Sequence, residues 1–297
     1  MKKITSLVLL IVFLVAVSVT PFHAVSIYTD GDYSYADVDA DYVALYAYNG
    51  DSDTLVIPEE FSGRKVSDVY DYAFENNTEL TVIDFSQNGG WLKNIGVKSF
   101  AECTGLTGDF VLPSSIRNLN IGSFQGCTGF TSLVINTGVR EIPRQCFNRC
   151  SGLREVYLPS DLESIDDLAF GNCDSLEKVY IPRSVTYISD TAFVRSYPTF
   201  YVYYNSYAHN YALDYNFEYV LLDGVKLGDA NGDGVVSIND VTTIQRHLAE
   251  LAELEGIYLH AADVNQDGEV TIDDATEIQL YLAEYELEYP IGEVIKQ

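Results

Sequence analysis

The amino-acid sequence predicts an α+β chain in two parts, a repeat solenoid with a parallel strand ladder followed by a small all-α module. Three observations support this prediction. Phenylalanine recurs every 23 to 26 residues through the middle of the chain, a twelve-residue loop sequence occurs twice near the C-terminus, and the N-terminus is a short basic segment followed by an apolar run. A fixed period in the low twenties indicates stacked coils that share one core.

The N-terminal segment has the composition of a secretory signal peptide. Two lysines precede an apolar run over residues 4–19, and Ala-Val-Ser at 24–26 is a small–x–small cleavage site. We therefore predict a signal peptide over residues 1–26 and a secreted, extracellular protein. Cleavage at 16–18 and a retained membrane anchor are the alternatives. No other segment is apolar for long enough to cross a bilayer, so no membrane association is predicted once the signal is removed.

Net charge divides the rest of the chain into two regions. Residues 27–226 contain 28 acidic and 13 basic residues, a balance of −15, whereas residues 227–297 contain 16 and 2, a balance of −14. An acidic surface repels nucleic acid and anionic membranes, so neither is predicted as a partner. We predict these two regions to be the two domains, the first with strand caps over residues 27–54 and 206–226.

Six aligned phenylalanines define the repeat. A small residue precedes each one, and apolar residues stand eight and five positions before it. An apolar residue also stands six positions after each of the first five, and an alternating strand pattern follows. They are Phe74, Phe100, Phe124, Phe147, Phe170 and Phe193. This pattern resembles the BspA-like leucine-rich repeats of bacterial surface antigens. The resemblance implies a leucine-rich-repeat solenoid with six coils over residues 55–205, a scaffold used for many kinds of binding.

Tyrosines on the predicted strands form the candidate ligand-binding surface of the solenoid. Ten residues after Phe, successive coils carry Tyr157, Tyr180 and Tyr203, and Tyr201 precedes the last by two. Strand side chains alternate, so these rings are expected to point away from the core. Flat amphipathic rings suit both sugar faces and protein partners. Cross-strand packing that stiffens the sheet is the alternative.

Four cysteines share one repeat position, three residues after Phe; they are Cys103, Cys127, Cys150 and Cys173. One residue type at coil spacing predicts an interior ladder of reduced thiols, and the odd total of five cysteines argues against full pairing. The only tryptophan, Trp91, lies in an irregular insertion over residues 88–91. We predict that it plugs an irregular coil rather than forming a ligand platform.

The C-terminal module contains two copies of a twelve-residue loop, residues 229–240 and 263–274. Calcium takes six to eight oxygen ligands, and such a loop supplies them from positions 1, 3, 5, 7, 9 and 12. Position 7 contributes a backbone carbonyl, and glycine at position 6 permits the sharp turn. We predict two calcium ions, with the ligands Asp229, Asn231, Asp233, Val235, Ser237, Asp240, Asp263, Asn265, Asp267, Glu269, Thr271 and Asp274.

An amphipathic helix pattern follows each loop, extending to Leu251 after the first and to Leu282 after the second. A strand or turn, not an entering helix, precedes the first loop, so the predicted unit is loop plus exiting helix, twice. This arrangement resembles the type I dockerin, which attaches secreted proteins to cohesin domains of a cellulosome scaffold. The resemblance implies a cohesin-binding surface made of Ile238, Asn239, Thr242, Gln245, Arg246, Ile272, Asp273, Thr276, Gln279 and Leu280; solvated helix surface is the alternative for each of them.

Together the two resemblances predict a secreted, non-catalytic binding protein in a cell-surface complex of a polysaccharide-degrading system. The dockerin would attach it to a cohesin-bearing scaffold, and the solenoid would bind a protein or a polysaccharide. No catalytic residues are predicted, because the acidic residues form no recognisable general acid–base pair. Two alternatives stay open: a polysaccharide-degrading enzyme subunit with glycoside hydrolase activity, and a leucine-rich-repeat surface adhesin.

Overall fold

The computed structural model describes residues 26–222, 224–254 and 256–295. Apart from Ser26, the predicted signal peptide lies outside these residues. The chain divides into two compact units, Met1–Pro198 and Thr199–Gln297. The end of the sixth coil and the predicted C-terminal cap therefore belong to the same unit as the two loops. The division into sequence domains at residue 226 stays a prediction.

An antiparallel sheet begins the first unit. Strands β1 (Ile27–Asp30), β2 (Tyr33–Asp37) and β3 (Tyr42–Tyr48) pair in succession. The last of them then pairs in parallel with a strand of the first coil. Burial of three consecutive residues in β2, Ser34 to Ala36, shows that this sheet is packed on both faces there. The N-terminal cap thus consists of strands whose last member pairs directly with the first coil of the solenoid.

Two parallel ladders run along the coils. The longer strands are β9 (Thr107–Leu112), β11 (Gly129–Ile135), β13 (Glu155–Tyr157) and β15 (Lys178–Tyr180), each paired with the next. The second ladder begins at β6 (Arg64–Val69), which also pairs with β5 (Glu60–Phe61). It continues in five strands of two residues each. They are β8 (Asn94–Ile95), β10 (Asn118–Leu119), β12 (Glu141–Ile142), β14 (Ser164–Ile165) and β16 (Tyr187–Ile188). Strands β4 (Thr54–Val56) and β7 (Val82–Asp84) form a separate parallel pair. The sequence predicts the first ladder; the second is visible there only as a buried apolar column.

A proline interrupts the second ladder, since β10 and β12 belong to different sheets. In the second, fifth and sixth coils the residue four before Phe donates its N–H to a carbonyl of the preceding coil, at 2.9 Å from Gly96 to Val69, from Asp166 to Ile142 and from Ser189 to Ile165. Pro143 occupies this position in the fourth coil and has no N–H to donate. The ladder is divided between the third and fourth coils, where this donor is missing.

The phenylalanine column forms the core of the first unit. All six rings are buried, and neighbouring rings stack with centroids 5.1 to 5.6 Å apart and planes inclined by 3° to 11°. Each of the first five phenylalanines donates its backbone N–H, at 2.8 to 3.0 Å, to the carbonyl of the residue just before the next phenylalanine. That residue must be small because it lies between two stacked coils, as the sequence pattern indicates.

The cysteine column is a row of hydrogen-bond donors. Each thiol donates to the carbonyl oxygen of the phenylalanine one coil earlier, at 3.1 to 3.3 Å. In the last coil Ser196 makes the same bond with its hydroxyl, at 2.8 Å. All five cysteines are free and buried, so the predicted interior position of the column is confirmed and its reduced state stays a prediction. Burial raises the pKa of Cys103, Cys146 and Cys173 to about 12, so these thiols are unreactive at neutral pH.

The second unit starts with β17 (Thr199–Val202), α1 (Tyr207–Tyr215) and β18 (Tyr219–Leu221), and β17 pairs in parallel with β18. The predicted strand cap over residues 206–226 is therefore wrong in part, because its largest element is a helix. Ser206 explains the helix start, since its hydroxyl accepts the backbone N–H of His209. None of the helices in the described ranges has the length and apolar character needed to span a membrane.

Three helices, α2 (Ile238–Leu248), α3 (Gly256–Ala262) and α4 (Ile272–Leu282), complete the second unit. Val241 and Ile244 of α2 share one buried cluster with Ala275 and Ile278 of α4. The predicted pattern is too long after the first loop: α2 ends before Leu251, which is 71% exposed. Helix α3 was not predicted, and it leads directly into the second loop.

We expect the cysteine column to tolerate serine because the donor is retained. Replacing Cys150 by Ser keeps a hydrogen bond to the Phe124 carbonyl, whereas Cys150→Ala removes that side-chain donor. Urea unfolding should show the Ser variant at least as stable as the Ala variant. A Ser variant less stable than the Ala variant by about 1–3 kcal/mol, the cost of burying an unpaired hydroxyl, would contradict the assignment.

Candidate functional site

The two twelve-residue loops share most of their hydrogen bonds. The carboxylate at position 1 accepts the N–H of the position-6 glycine at 2.9 Å, from Gly234 to Asp229 and from Gly268 to Asp263. The amide oxygen at position 3 accepts the N–H of position 5, at 2.7 Å in the first loop and 2.9 Å in the second. The duplication seen in the sequence is therefore a duplication of structure.

The carboxylate at position 12 closes each loop. Asp240 and Asp274 are fully buried, and each has one oxygen that accepts a backbone N–H from position 3 and another that accepts the N–H of position 9. The second bond is half of a capping box, with Ser237 or Thr271 as the N-cap of the exiting helix. The same aspartate thus fixes the loop and starts the helix.

Buried negative charge in the first loop fits a bound cation. Asp229 is 2% exposed, and its Oδ1 is buried without a hydrogen-bond partner. Burial, together with the nearby charge of Asp240, raises the pKa of Asp229 to about 6, and burial also raises the pKa of Asp240. A calcium ion would supply the missing partner for that oxygen and offset the desolvation of both carboxylates.

The donor set is mixed rather than purely anionic. Within the described residues, no three His, Cys, Asp or Glu side chains are gathered into a metal-binding group. A cation in these loops would therefore also need the amide, hydroxyl and backbone carbonyl oxygens at positions 3, 7 and 9. Hard oxygen donors of this kind are those that calcium prefers.

The two loops differ in what packs against them. Tyr204 donates its hydroxyl hydrogen to the backbone carbonyl of Asn231 at 2.9 Å, and its ring lies edge-on to that of Tyr258, with centroids 5.1 Å apart. A side chain at Gly232 would come within 2.3 Å of Tyr204 and 2.6 Å of Tyr258. The equivalent residue of the second loop is Gln266, which is exposed. The sequence gives only one sign of this difference, the Gly–Gln mismatch at position 4.

The predicted cohesin-binding residues lie at the surface of the second unit. Nine of the ten are exposed, Ile238 by 58% and Ile272 by 55%, and Leu280 is half-buried. The two sets stand at equivalent positions on α2 and α4, whose inner faces share the buried cluster. Their outer faces are alike at three positions and differ at two, where Arg246 corresponds to Leu280 and Asn239 to Asp273.

The structure brings Tyr157 and Tyr180 together on the open face of the longer ladder. Their rings stack with centroids 4.5 Å apart and planes inclined by 6°, and Tyr157 is 38% exposed. The Tyr180 hydroxyl donates to Glu155 at 3.3 Å, and Lys178 lies 3.6 Å from the same carboxylate. Tyr201 and Tyr203 belong to the second unit, where both are half-buried.

We expect the position-4 residues of the two loops not to be interchangeable. Gly232→Gln places a side chain against Tyr204 and Tyr258, and overpacking of this kind costs about 1–3 kcal/mol. The reverse change, Gln266→Gly, meets no such packing and is the matched control. Thermal unfolding in calcium should show a loss for the first variant and little change for the second. Equal effects would mean that the aromatic contact does not distinguish the loops.

Family models match both parts of the chain. Residues 66–198 match the BspA type leucine-rich repeat region in six copies, and residues 227–283 match the dockerin type I domain. No curated protein matches the sequence. The six matched copies agree with the six stacked phenylalanines, and the second match covers both loops and their exiting helices.

Several solved structures of leucine-rich-repeat proteins are similar to the chain. A leucine-rich cell surface protein from Faecalibacterium prausnitzii A2-165 is 24% identical with a TM-score of 0.47, and the match covers 62% of this chain and 56% of that one. A leucine-rich-repeat protein from T. pallidum is 21% identical with a TM-score of 0.48, covering 64% and 95%. One from Bacteroides ovatus ATCC 8483 is 19% identical with a TM-score of 0.44, covering 58% and 55%.

The chain thus spans 56% of the first of these proteins and 55% of the third. The family matches agree with the geometry of each unit, the stacked coils in one case and the paired loop–helix motifs in the other. Residues 66–198 thus form a BspA type leucine-rich repeat region, and residues 227–283 form a dockerin type I domain.

Proposed function

We propose that the protein is a secreted, non-catalytic binding subunit of a cellulosome-type assembly. Dockerin domains in general bind calcium and cohesin domains, and both domain types are generally extracellular or surface-associated. The observation that carries the proposal is the pair of loops that share most of their hydrogen bonds, each leading into a helix with an exposed outer face. The dockerin would hold the chain on a scaffold, and the solenoid would bind the target.

Two calcium ions, one in each loop, would be held by the twelve predicted ligands. The unpaired, buried Oδ1 of Asp229 supports this in the first loop. In the second, Asp263 and Asp267 accept the N–H groups of Gly268 and Glu269, as their counterparts do in the first loop, and Asp263 Oδ1 also accepts the N–H of Asp267. Calcium would neutralise the clustered carboxylates and fix each loop against its helix. The outer faces of α2 and α4 would then stand in equivalent orientations.

One of the two outer faces would dominate cohesin binding. The residues that differ alter both charge and shape, because Arg246 is replaced by Leu280 and Asn239 by Asp273. A cohesin surface complementary to one face would place an unpaired charge or a mismatched side chain against the other. Specificity of this kind arises from what an interface rejects as well as from what it accepts.

The solenoid would bind a protein or a polysaccharide through the pair of exposed Tyr157 and half-buried Tyr180. Its two rings form a flat surface held by stacking and by the bond to Glu155. Both matched domains are of non-catalytic types, which supports a binding role for the whole chain. Incubation with soluble glycans tests this directly, since release of new reducing ends would favour the hydrolase alternative.

Calcium-dependent capture of a cohesin-bearing scaffold is the main test. The mature chain should recover such a scaffold from the secreted proteins of its own organism in calcium and fail to do so with chelator. The double variant Asp229→Asn, Asp263→Asn should weaken capture by a factor of about ten or more, because each loop loses a charged ligand. Asp214→Asn, which changes an exposed acid of α1, is the control. Capture that is unaffected by chelator would contradict the proposal.

Replacing Tyr157 and Tyr180 together by Ser should abolish ligand binding by the solenoid without unfolding it, because both rings lie outside the core. Binding to immobilised polysaccharides and to cell-surface protein fractions can be compared with circular dichroism of the same samples. Tyr187→Ser, which removes a 47% exposed ring from the other ladder, is the control. Full binding by the double variant would leave the tyrosine pair a packing feature only.

A further inference from the structure

A cleft beside the insertion over residues 88–91 has the composition of a sugar site. The insertion lengthens the spacing between Phe74 and Phe100 to 26 residues. The cleft has a volume of about 430 Å³ and is lined by Trp91, Tyr42, Asp68, Lys93, Asn94 and the glycine pair of the insertion, among others. Its volume falls in the range of about 300–1,000 Å³ that is typical of small-molecule sites.

Hydrogen bonds hold the insertion over residues 88–91 in one conformation. Asn88 is 2% exposed, and its amide nitrogen donates to the carbonyls of Pro58 and Val66, both at 3.0 Å, while its oxygen accepts the N–H of Leu92. Gly89 and Gly90 both adopt positive φ, 66° and 79°. The chain is thus turned outward at the glycines and pinned on both sides of them.

Trp91 is not the plug that its position in the sequence predicts. Leu92 and Asn88 fill the coil, at 1% and 2% exposure, whereas Trp91 is 37% exposed. Lys65 places its ammonium 5.5 Å from the centroid of the indole and is itself held by Glu59 at 2.7 Å. The ring is therefore fixed in place at the surface, where it borders the cleft.

A row of fixed polar groups leads away from this ring. The Asn94 amide donates to Asp68 at 2.6 Å, and the Asn118 amide donates to Asn94 at the same distance. Lys93 donates to the carbonyl of Gly90 at 2.7 Å, which ties the insertion to the polar row. Carboxylate, amide and ammonium groups thus stand in set positions beside two aromatic rings, Trp91 and Tyr42.

We propose that this cleft binds a neutral oligosaccharide, with one sugar ring stacked on Trp91. A sugar ring has a flat face of C–H groups that suits an aromatic ring. Its hydroxyls can donate to the Asp68 carboxylate, and they can both donate to and accept from the Asn94 amide. Lys93 and Lys65 balance Asp68 and Glu59 beside the cleft, so its local charge is close to zero, and the net charge of −27 of the chain disfavours an anionic ligand. The inference rests on the proposed role of the solenoid as the ligand-binding part, but places a site apart from Tyr157 and Tyr180.

The only tryptophan of the chain makes the test direct. Selective excitation of the indole reports on Trp91 alone, so the mature protein can be titrated with neutral oligosaccharides of glucose, xylose or mannose and with an oligosaccharide of galacturonic acid. We expect a saturable change in emission with at least one neutral sugar and none with the acidic one. In calorimetry with that neutral sugar, Trp91→Ala should weaken binding by about tenfold or more. Tyr197→Ala, at an 85% exposed ring, should bind normally.

Three results would overturn the assignment. They are the absence of any emission change with neutral sugars at millimolar concentration, normal sugar binding by Trp91→Ala, and binding of a protein rather than a sugar at this ring. Sugar binding that survives Trp91→Ala but is lost in the Tyr157, Tyr180 double variant would remove this site and leave the proposed function intact. Loss of calcium-dependent capture would overturn the docking role. It would not change the result of the sugar titration, which tests the cleft beside Trp91.

Discussion

Register between successive coils is the constraint on which the rest of the first unit depends. The stacked phenylalanines and the N–H bond that each of the first five makes to the next coil hold neighbouring coils at one fixed offset. Because strand side chains alternate, this offset decides every outward column as well as every buried one. Tyr157 therefore lies on Tyr180, and Glu155 beside Lys178. An exposed surface is in this way set by a contact in the core.

The same register holds backbone conformations that the residues themselves do not favour. Positions two after Phe have positive φ in all six coils, yet only Gly126 among them is glycine; Glu102 and Arg149 have φ of 58° and 63°. A left-handed residue with a side chain costs about 1–2 kcal/mol, and here each one donates or lies beside an inter-coil hydrogen bond, as Arg149 does to Gly171 at 2.9 Å. Repetition makes the strained turn tolerable, because each coil supports the next.

The regular spacing of these columns explains which features could be predicted from the sequence alone. The phenylalanine period and the loop positions identified the repeat coils, the paired loop–helix motifs, the buried columns and the surface position of most predicted docking residues, because each is a regular spacing of particular residue types. Two-residue strands such as Glu141–Ile142 show no alternation, and the seven residues of α3 span barely two turns, so neither has a readable period. Trp91 was misjudged for a different reason: its exposure depends on Asn88 filling the coil, a contact made through tertiary neighbours. The effect of Pro143 could not be predicted either, because it depends on a missing N–H donor whose acceptor lies in a neighbouring coil.

Within the second unit, the cap segment after β17 contacts the first twelve-residue loop and makes no equivalent contact with the second among the described residues. Tyr204 lies just after β17 and donates to the Asn231 carbonyl inside the first loop, so ordering that loop also orders the cap. Asp229 is more deeply buried than its counterpart Asp263, and its pKa is raised to about 6. Any ligand that binds only the ordered state stabilises everything that shares that state. A cation in the first loop would therefore stabilise the segment around Tyr204 as well as the loop itself.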